Sequence, residues 1–219
     1  MKLLLLAILV GLLSVAWHRP VATSTWTEDW SDISDWQYQG NIPSCFANTP
    51  GSLIGVCFSS GLYSRAKWDR RYPVTIQGQV MVEPASPHNQ AWGGIKLVNG
   101  WYDSNDDALC QFAFLGQSMG MSYDGVVANW GGIVYCYAQR WPPASPGIWH
   151  DYKIAWKPSV QRWYFYVDGV YRYAATARPL TGDLRAKEEC VAAHPGVSGD
   201  GELARCEFGP LTVTGVRLK

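Results

Sequence analysis

Residues 74–82 (VTIQGQVMV) alternate cleanly, with Ile76, Val80 and Val82 on one face of an extended chain and Thr75, Gln77 and Gln79 on the other. Successive side chains of a strand point to opposite faces, so this spacing predicts a half-buried β-strand. The same reading predicts strands at 92–98, where Ile95 and Leu97 oppose Lys96, and at 108–115, 131–138 and 151–157. In 151–157, Tyr152, Ile154 and Trp156 share a face. Strands at 162–167 and 170–174 flank Asp168-Gly169, a two-residue hairpin signal. The last strand is expected at 211–218, after a short one at 205–208. The polar stretch 181–201 reads as a long surface loop. Beyond the N-terminal segment, no long stretch carries the 3.6-residue period of a helix. Many short strands with turn signals between them predict an all-β antiparallel sandwich rather than an α/β fold.

The 219 residues suit one large all-β domain, and no composition break divides them. Residues 3–15 form an almost unbroken apolar run behind Lys2, and Ser14-Val15-Ala16 fits a small-x-small cleavage pattern. The expectation is a signal peptide at 1–16, or to 22 with cleavage after Ala22, followed by one domain at 23–219. The run is shorter than the roughly 20 residues of a membrane span, which makes an uncleaved anchor the weaker alternative. The protein is expected to be secreted, with no membrane partner after cleavage.

Six cysteines follow the leader: Cys45, Cys57, Cys110, Cys136, Cys190 and Cys206. An even number in an exported chain predicts disulfides. Nearest neighbours are the expected pairs: Cys45 with Cys57, Cys110 with Cys136, and Cys190 with Cys206. The absence of C-x-x-C spacing argues against a thiolate zinc site. Lys+Arg and Asp+Glu are 18 each, and no basic stripe stands out, so nucleic acid is not an expected partner.

Residues 149–156 (WHDYKIAW) and 165–170 (FYVDGV) resemble the concanavalin A-like lectin/glucanase superfamily, whose members include laminin-G-like modules. The opening 30–36 (WSDISDW) is similar to their first strand region, and 207–213 (EFGPLTV) to their ending. The resemblance spans most of the mature chain and implies a jelly-roll sandwich. It does not choose among lectins, hydrolases and lyases. His150 is expected to be a structural hydrogen-bonder rather than a catalytic base.

Hydrolases of that superfamily carry an E-x-D-x-E or E-x-D-x-x-E strand, since retention needs two same-face carboxylates about 5–5.5 Å apart. The six glutamates here are Glu28, Glu83, Glu188, Glu189, Glu202 and Glu207, and none is followed two residues later by Asp. None is expected mid-strand beside a same-face carboxylate. Tyr164-Phe165 and Gly169-Val170-Tyr171 resemble a lyase strand Y-F-K-x-G-x-Y only with an extra residue and no Lys. A hydrolase or lyase with a non-standard site is therefore the alternative, and the expectation leans away from an enzyme.

Residues 103–107 (DSNDD) offer oxygen ligands at positions one, three and five of a calcium loop. Ala108 replaces the sixth-position Gly, and Phe114 stands where the twelfth-position Glu belongs. A solvated acidic turn is preferred, a looser calcium site is the alternative, and no cofactor is expected.

The composition is unusual in its 12 Trp and 12 Tyr. Sugars present C–H faces that stack on aromatic rings and hydroxyls that pair with amides and carboxylates. The faces opposite the expected core supply such groups at Gln77, Gln79, Trp92, Lys96, Gln111, Tyr135 and Tyr137. Nearby loops add Trp101, Tyr102, Asn129 and Trp130. The expected function is non-catalytic binding of an extracellular polysaccharide or glycan by a concave aromatic-polar sheet face. A structural or adhesive surface protein is a further alternative, and the sequence carries no signal of oligomeric state.

Overall fold

A computed structural model describes residues 21–39, 46–57, 59–83, 90–99, 108–115, 122–128, 147–176, 180, 182–192 and 204–219. The leader and the strand expected at 131–138 lie outside these residues. The described residues form fourteen strands: β1 (Ser24–Glu28), β2 (Trp36–Gln39), β3 (Phe46–Thr49), β4 (Ser52–Cys57), β5 (Ser59–Ser64), β6 (Val74–Glu83), β7 (Gln90–Asn99), β8 (Ala108–Leu115), β9 (Ser122–Ala128), β10 (His150–Lys157), β11 (Arg162–Val167), β12 (Val170–Thr176), β13 (Leu184–Ala192) and β14 (Ala204–Gly215). Sheet A runs β12–β11–β10–β6–β14–β4–β3, with β1 also paired to β14. Sheet B runs β2–β5–β13–β7–β8–β9. The architecture is an all-β antiparallel sandwich, as the period-two spacing predicts.

The core lies between the sheets. Sheet A contributes Ile76, Val80 and Val82 from β6, Tyr152, Ile154 and Trp156 from β10, and Trp163 and Phe165 from β11. Sheet B meets them with Leu62, Ile95, Leu97, Leu184 and Ala186. Burying a side chain of this size contributes about 1.5–3 kcal/mol, before conformational entropy is subtracted.

The hairpin between β11 and β12 turns on Asp168 (φ 51°) and Gly169 (φ 74°), both left-handed, as a type I′ turn requires. The segments expected at 205–208 and 211–218 are one strand, β14, interrupted by a register shift between Phe208 and Leu211. Pro210 lacks an N–H, so the ladder breaks there without ending the strand. The first half of β14 lies between β4 and β6, and the second between β6 and β1.

Two expectations are corrected. The stretch 181–201 is not all surface loop, because β13 occupies the middle of sheet B. Its core-facing positions are Leu184, Ala186, Glu188 and Cys190, and the glutamate among them hides the apolar period. Residues 30–35 are a turn between β1 and β2, not a strand.

Cys190 on β13 bonds Cys206 on β14, so this expected pair stitches sheet B to sheet A rather than pinning a loop. Two glycines make room for it. A Cβ on Gly93 would stand 2.9 Å from Cys206 Sγ and 2.9 Å from Val82 Cγ2. One on Gly55 would meet Cys190 Cβ at 3.3 Å and Phe46 Cε1 at 2.8 Å. The other four cysteines are Cys45 and Cys136, outside the described residues, and Cys57 and Cys110, in β4 and β8.

Candidate functional site

The outer face of sheet B is built by register. One row across it reads Gln37 (β2), Tyr63 (β5), Lys187 (β13), Lys96 (β7), Leu109 (β8) and Val127 (β9). The next reads Gln39, Gly61, Glu189, Gly94, Gln111 and Gly125. A third reads Ser59, Val191, Trp92, Ala113 and Tyr123. In the middle row a glycine on every second strand alternates with an amide or carboxylate residue. A glycine inside a strand lets another group approach the backbone closely. The rows on either side carry the aromatic positions Tyr63, Trp92 and Tyr123.

Within the first row, the Lys187 ammonium lies 5.0 Å from the Tyr63 ring centroid. Lys187 and Lys96 face each other across neighbouring strands and are 0% and 2% exposed. Lys96 does oppose Ile95 and Leu97, as expected, yet it is buried rather than open to solvent. Arg185, two residues before Lys187, donates to the Ser64 carbonyl at 3.0 Å, and burial pulls its pKa down against the opposing charge of Asp183.

The predicted residues divide. Lys96, Trp92 and Gln111 belong to strands of sheet B. Gln77 and Gln79 belong to β6 in sheet A and cannot join the same surface. The alternation of β6 gives their face correctly but says nothing about which sheet carries it. Trp101, Tyr102, Asn129, Trp130, Tyr135, Tyr137 and the acidic stretch 103–107 lie outside the described residues. Sequence reasoning missed Tyr63, Lys187, Gln39 and Glu189. The period-two spacing of Leu184, Ala186 and Cys190 was the signal that could have found β13.

Glu188 and Glu189 are consecutive on β13, so their strand positions belong to opposite faces of the sheet. Glu188 turns into the core, 1% exposed, and burial pushes its carboxyl pKa well up. Among the described strand positions, Glu189 is the one carboxylate on the outer face of sheet B. On sheet A, Glu83 and Glu207 do share a face, contrary to expectation. Arg205 pairs with both, at 3.2 Å and 3.3 Å.

His150 takes the expected hydrogen-bonding role. Its Nδ1 lies 2.9 Å from Asp168 Oδ2, while Asp168 Oδ1 accepts the Asp151 N–H at 2.9 Å. These bonds tie the start of β10 to the β11–β12 turn. A separate cavity of about 170 Å³ is lined by Arg70, Arg71, Trp156, Pro158, Gln161 and Leu180. It is small beside the roughly 300–1,000 Å³ of ordinary ligand pockets.

No protein-family model matches the chain, and no curated protein matches its sequence. Solved structures do match its shape. Lectin II from Ulex europaeus superposes with a TM-score of 0.61 at 10% identity, covering 88% of this chain and 98% of the lectin. The fold is that of the concanavalin A-like lectin/glucanase superfamily. A Bauhinia forficata lectin in complex with GalNAc gives a TM-score of 0.58 at 10% identity, with 88% and 98% of the two chains covered. The β-glucanase of Bacillus licheniformis gives 0.58 at 15% identity, with 87% and 97% covered. This concanavalin A-like chain therefore shares its frame with sugar-binding and sugar-cleaving proteins alike, and its own site residues must distinguish them.

Proposed function

We propose that this protein binds a polysaccharide or glycan without cleaving it, along the outer face of sheet B. The row Gln39–Gly61–Glu189–Gly94–Gln111–Gly125 carries the reading. Gly61 and Gly94 are themselves buried, so a sugar would meet this row through the residues between them, and Gln39, Glu189 and Gln111 are the types whose amides and carboxylate pair with hydroxyls. Trp92 and Tyr123 in the neighbouring row are the aromatic types suited to C–H stacking. The lectin solved with GalNAc and a transglycosylase solved with NAG have the same fold, which supports a saccharide as partner. Among the described residues, this face has one carboxylate position where retaining hydrolysis needs two.

The site is read as extracellular. The disulfide between Cys190 and Cys206 fits an oxidising compartment, and the leader at 1–16 would deliver the chain there. Amino-terminal sequencing of secreted material should begin at Trp17, or at Thr23 for the later cleavage.

A glycan array followed by titration calorimetry tests the binding. Trp92→Ala and Gln111→Ala are each expected to weaken the best glycan about tenfold or more. Unchanged affinity in both variants would end the assignment to this face. Release of reducing ends or unsaturated uronates by the wild type would replace binding with catalysis.

A further inference from the structure

The outer face of sheet A carries a second strip of saccharide-matching groups. It runs across β12, β11, β10, β6 and β14. Tyr171 stands at one end, 52% exposed, with its ring 5.7 Å from that of Tyr166 in an edge-on contact. The Lys153 ammonium lies 5.0 Å from the Tyr166 centroid. Lys153 pairs in register with Gln77, and Asp151 with Gln79. Gln77 Nε2 donates to Asp151 Oδ2 at 2.9 Å. Burial raises the Asp151 pKa, with help from the Asp168 charge and against the Gln77 hydrogen bond. Trp149 closes the other end, 39% exposed. A Cβ placed on Gly209 would meet Gln79 Cβ at 3.2 Å and Trp149 Cζ3 at 3.6 Å, so the indole lies beside Gln79.

We infer that this strip, from Trp149 through Gln79, Asp151, Gln77 and Lys153 to Tyr171, is a second saccharide-binding surface, for a polysaccharide chain lying across the strands. Cross-strand ring and cation contacts would account for Tyr166 and Lys153 as scaffold. They do not account for large aromatic faces left open at both ends. Five strands spaced about 4.8 Å apart make the strip about 19 Å long, enough for several linked sugar rings. Its two charges, Asp151 and Lys153, cancel, which suits hydroxyl groups better than the phosphates of a nucleic acid. Amides and a carboxylate between two aromatic platforms match alternating hydroxyls and C–H faces. The strip is on the opposite sheet from the row centred on Glu189, so the two surfaces can be tested apart.

Affinity electrophoresis of the full chain through gels holding barley β-glucan, galactomannan or alginate tests the inference. The wild type should be retarded by at least one of these. Trp149→Ala with Tyr171→Ala should reduce that retardation about tenfold or more in dissociation constant, while Trp149→Phe with Tyr171→Phe keeps most of it. Both residues are exposed, so the thermal midpoint should stay near the wild-type value. Unchanged retardation of the alanine variant overturns the inference, as does a wild type that no gel retards. Loss of self-association in the alanine variant, seen by sedimentation and without any change in retardation, also overturns it and assigns the strip to a second copy of the chain. Gln111→Ala reads the sheet B proposal independently. If retardation depends on Gln111 alone, this strip fails and that proposal stands. If it depends on Trp149 and Tyr171 alone, the reverse holds.

Discussion

Glu28 uses each of its oxygens on a different tryptophan. Oε1 accepts the Trp30 backbone N–H and Oε2 accepts the Trp36 indole N–H, both at 2.8 Å. Trp30 has φ 63°, a left-handed conformation that costs a bulky residue about 1–2 kcal/mol. Its indole donates to the Gly209 carbonyl at 2.7 Å, so the strained turn is held at both ends. Glu28→Ala would strand two buried donors and should lose about 2–4 kcal/mol of stability by urea denaturation. Glu28→Gln, which keeps one acceptor oxygen, should lose less. Glu188 presents the opposite case, a carboxyl turned into the core whose Oε2 has no hydrogen-bond partner among the described residues. Burial raises its pKa, so the folded chain holds a proton that the unfolded chain releases above about pH 4.3, the ordinary glutamate value. The folded state then binds more protons, and stability falls as pH rises from there towards the raised value. The thermal midpoint should therefore drop between pH 5 and pH 8 in the wild type and drop less in Glu188→Gln. A steeper drop in the variant would refute this account of the buried carboxyl.

At the scale of single elements, legibility followed the cleanness of the alternation. Strands β6, β8, β10 and β11 read directly from sequence because branched and aromatic residues occupy every second position. Strand β13 did not, because Arg185, Lys187 and Glu189 alternate with a core set that includes Glu188. Strands β2 to β5 are short, and their apolar positions are too few to show a period. The candidate site was legible in parts. Period two gives Trp92, Lys96 and Gln111 the strand parity of these rows, yet Lys96 is buried, and the glycine row could not be seen at all. Gly61, Gly94 and Gly125 lie far apart in sequence and line up only through strand register. Period two assigns a residue to a face and leaves its sheet open, which is why Gln77 and Gln79 were grouped with residues on the other side of the molecule. The β11–β12 hairpin was the most legible turn, and Gly169 is where its geometry depends on one residue. With φ 74° and open space around a built Cβ, Gly169→Val should fail on backbone strain alone. A loss of about 1–2 kcal/mol is expected for one residue forced into the left-handed region. Gly169→Asn, which tolerates that region, should lose clearly less in the same denaturation experiment.

For the molecule as a whole, the two sheets are joined by packing and by one covalent link among the described residues, Cys190–Cys206. The link closes a loop of 16 residues in sequence, for which the chain-entropy account gives about 3 kcal/mol. Cys190→Ala with Cys206→Ala also leaves space where two sulfurs filled the gap between Gly93 and Gly55, which adds a cavity term. The double variant should therefore lose about 3–5 kcal/mol, read as a lower midpoint in guanidinium with little change in slope. Its effect on binding should differ from its effect on stability. Glu189 and Lys187 are held in place by β5 and β7, whose ladders run along both sides of β13. Trp149 and Gln79 are held by β6, β10 and β14 in the other sheet. Each proposed saccharide surface is thus supported within its own sheet, and neither spans the disulfide. Below its lowered melting temperature the variant should keep its affinity within about twofold, since a change under 0.5 kcal/mol is expected where no contact is lost. A parallel loss of affinity at a temperature where the chain is still folded would mean that the sheets position the binding faces jointly.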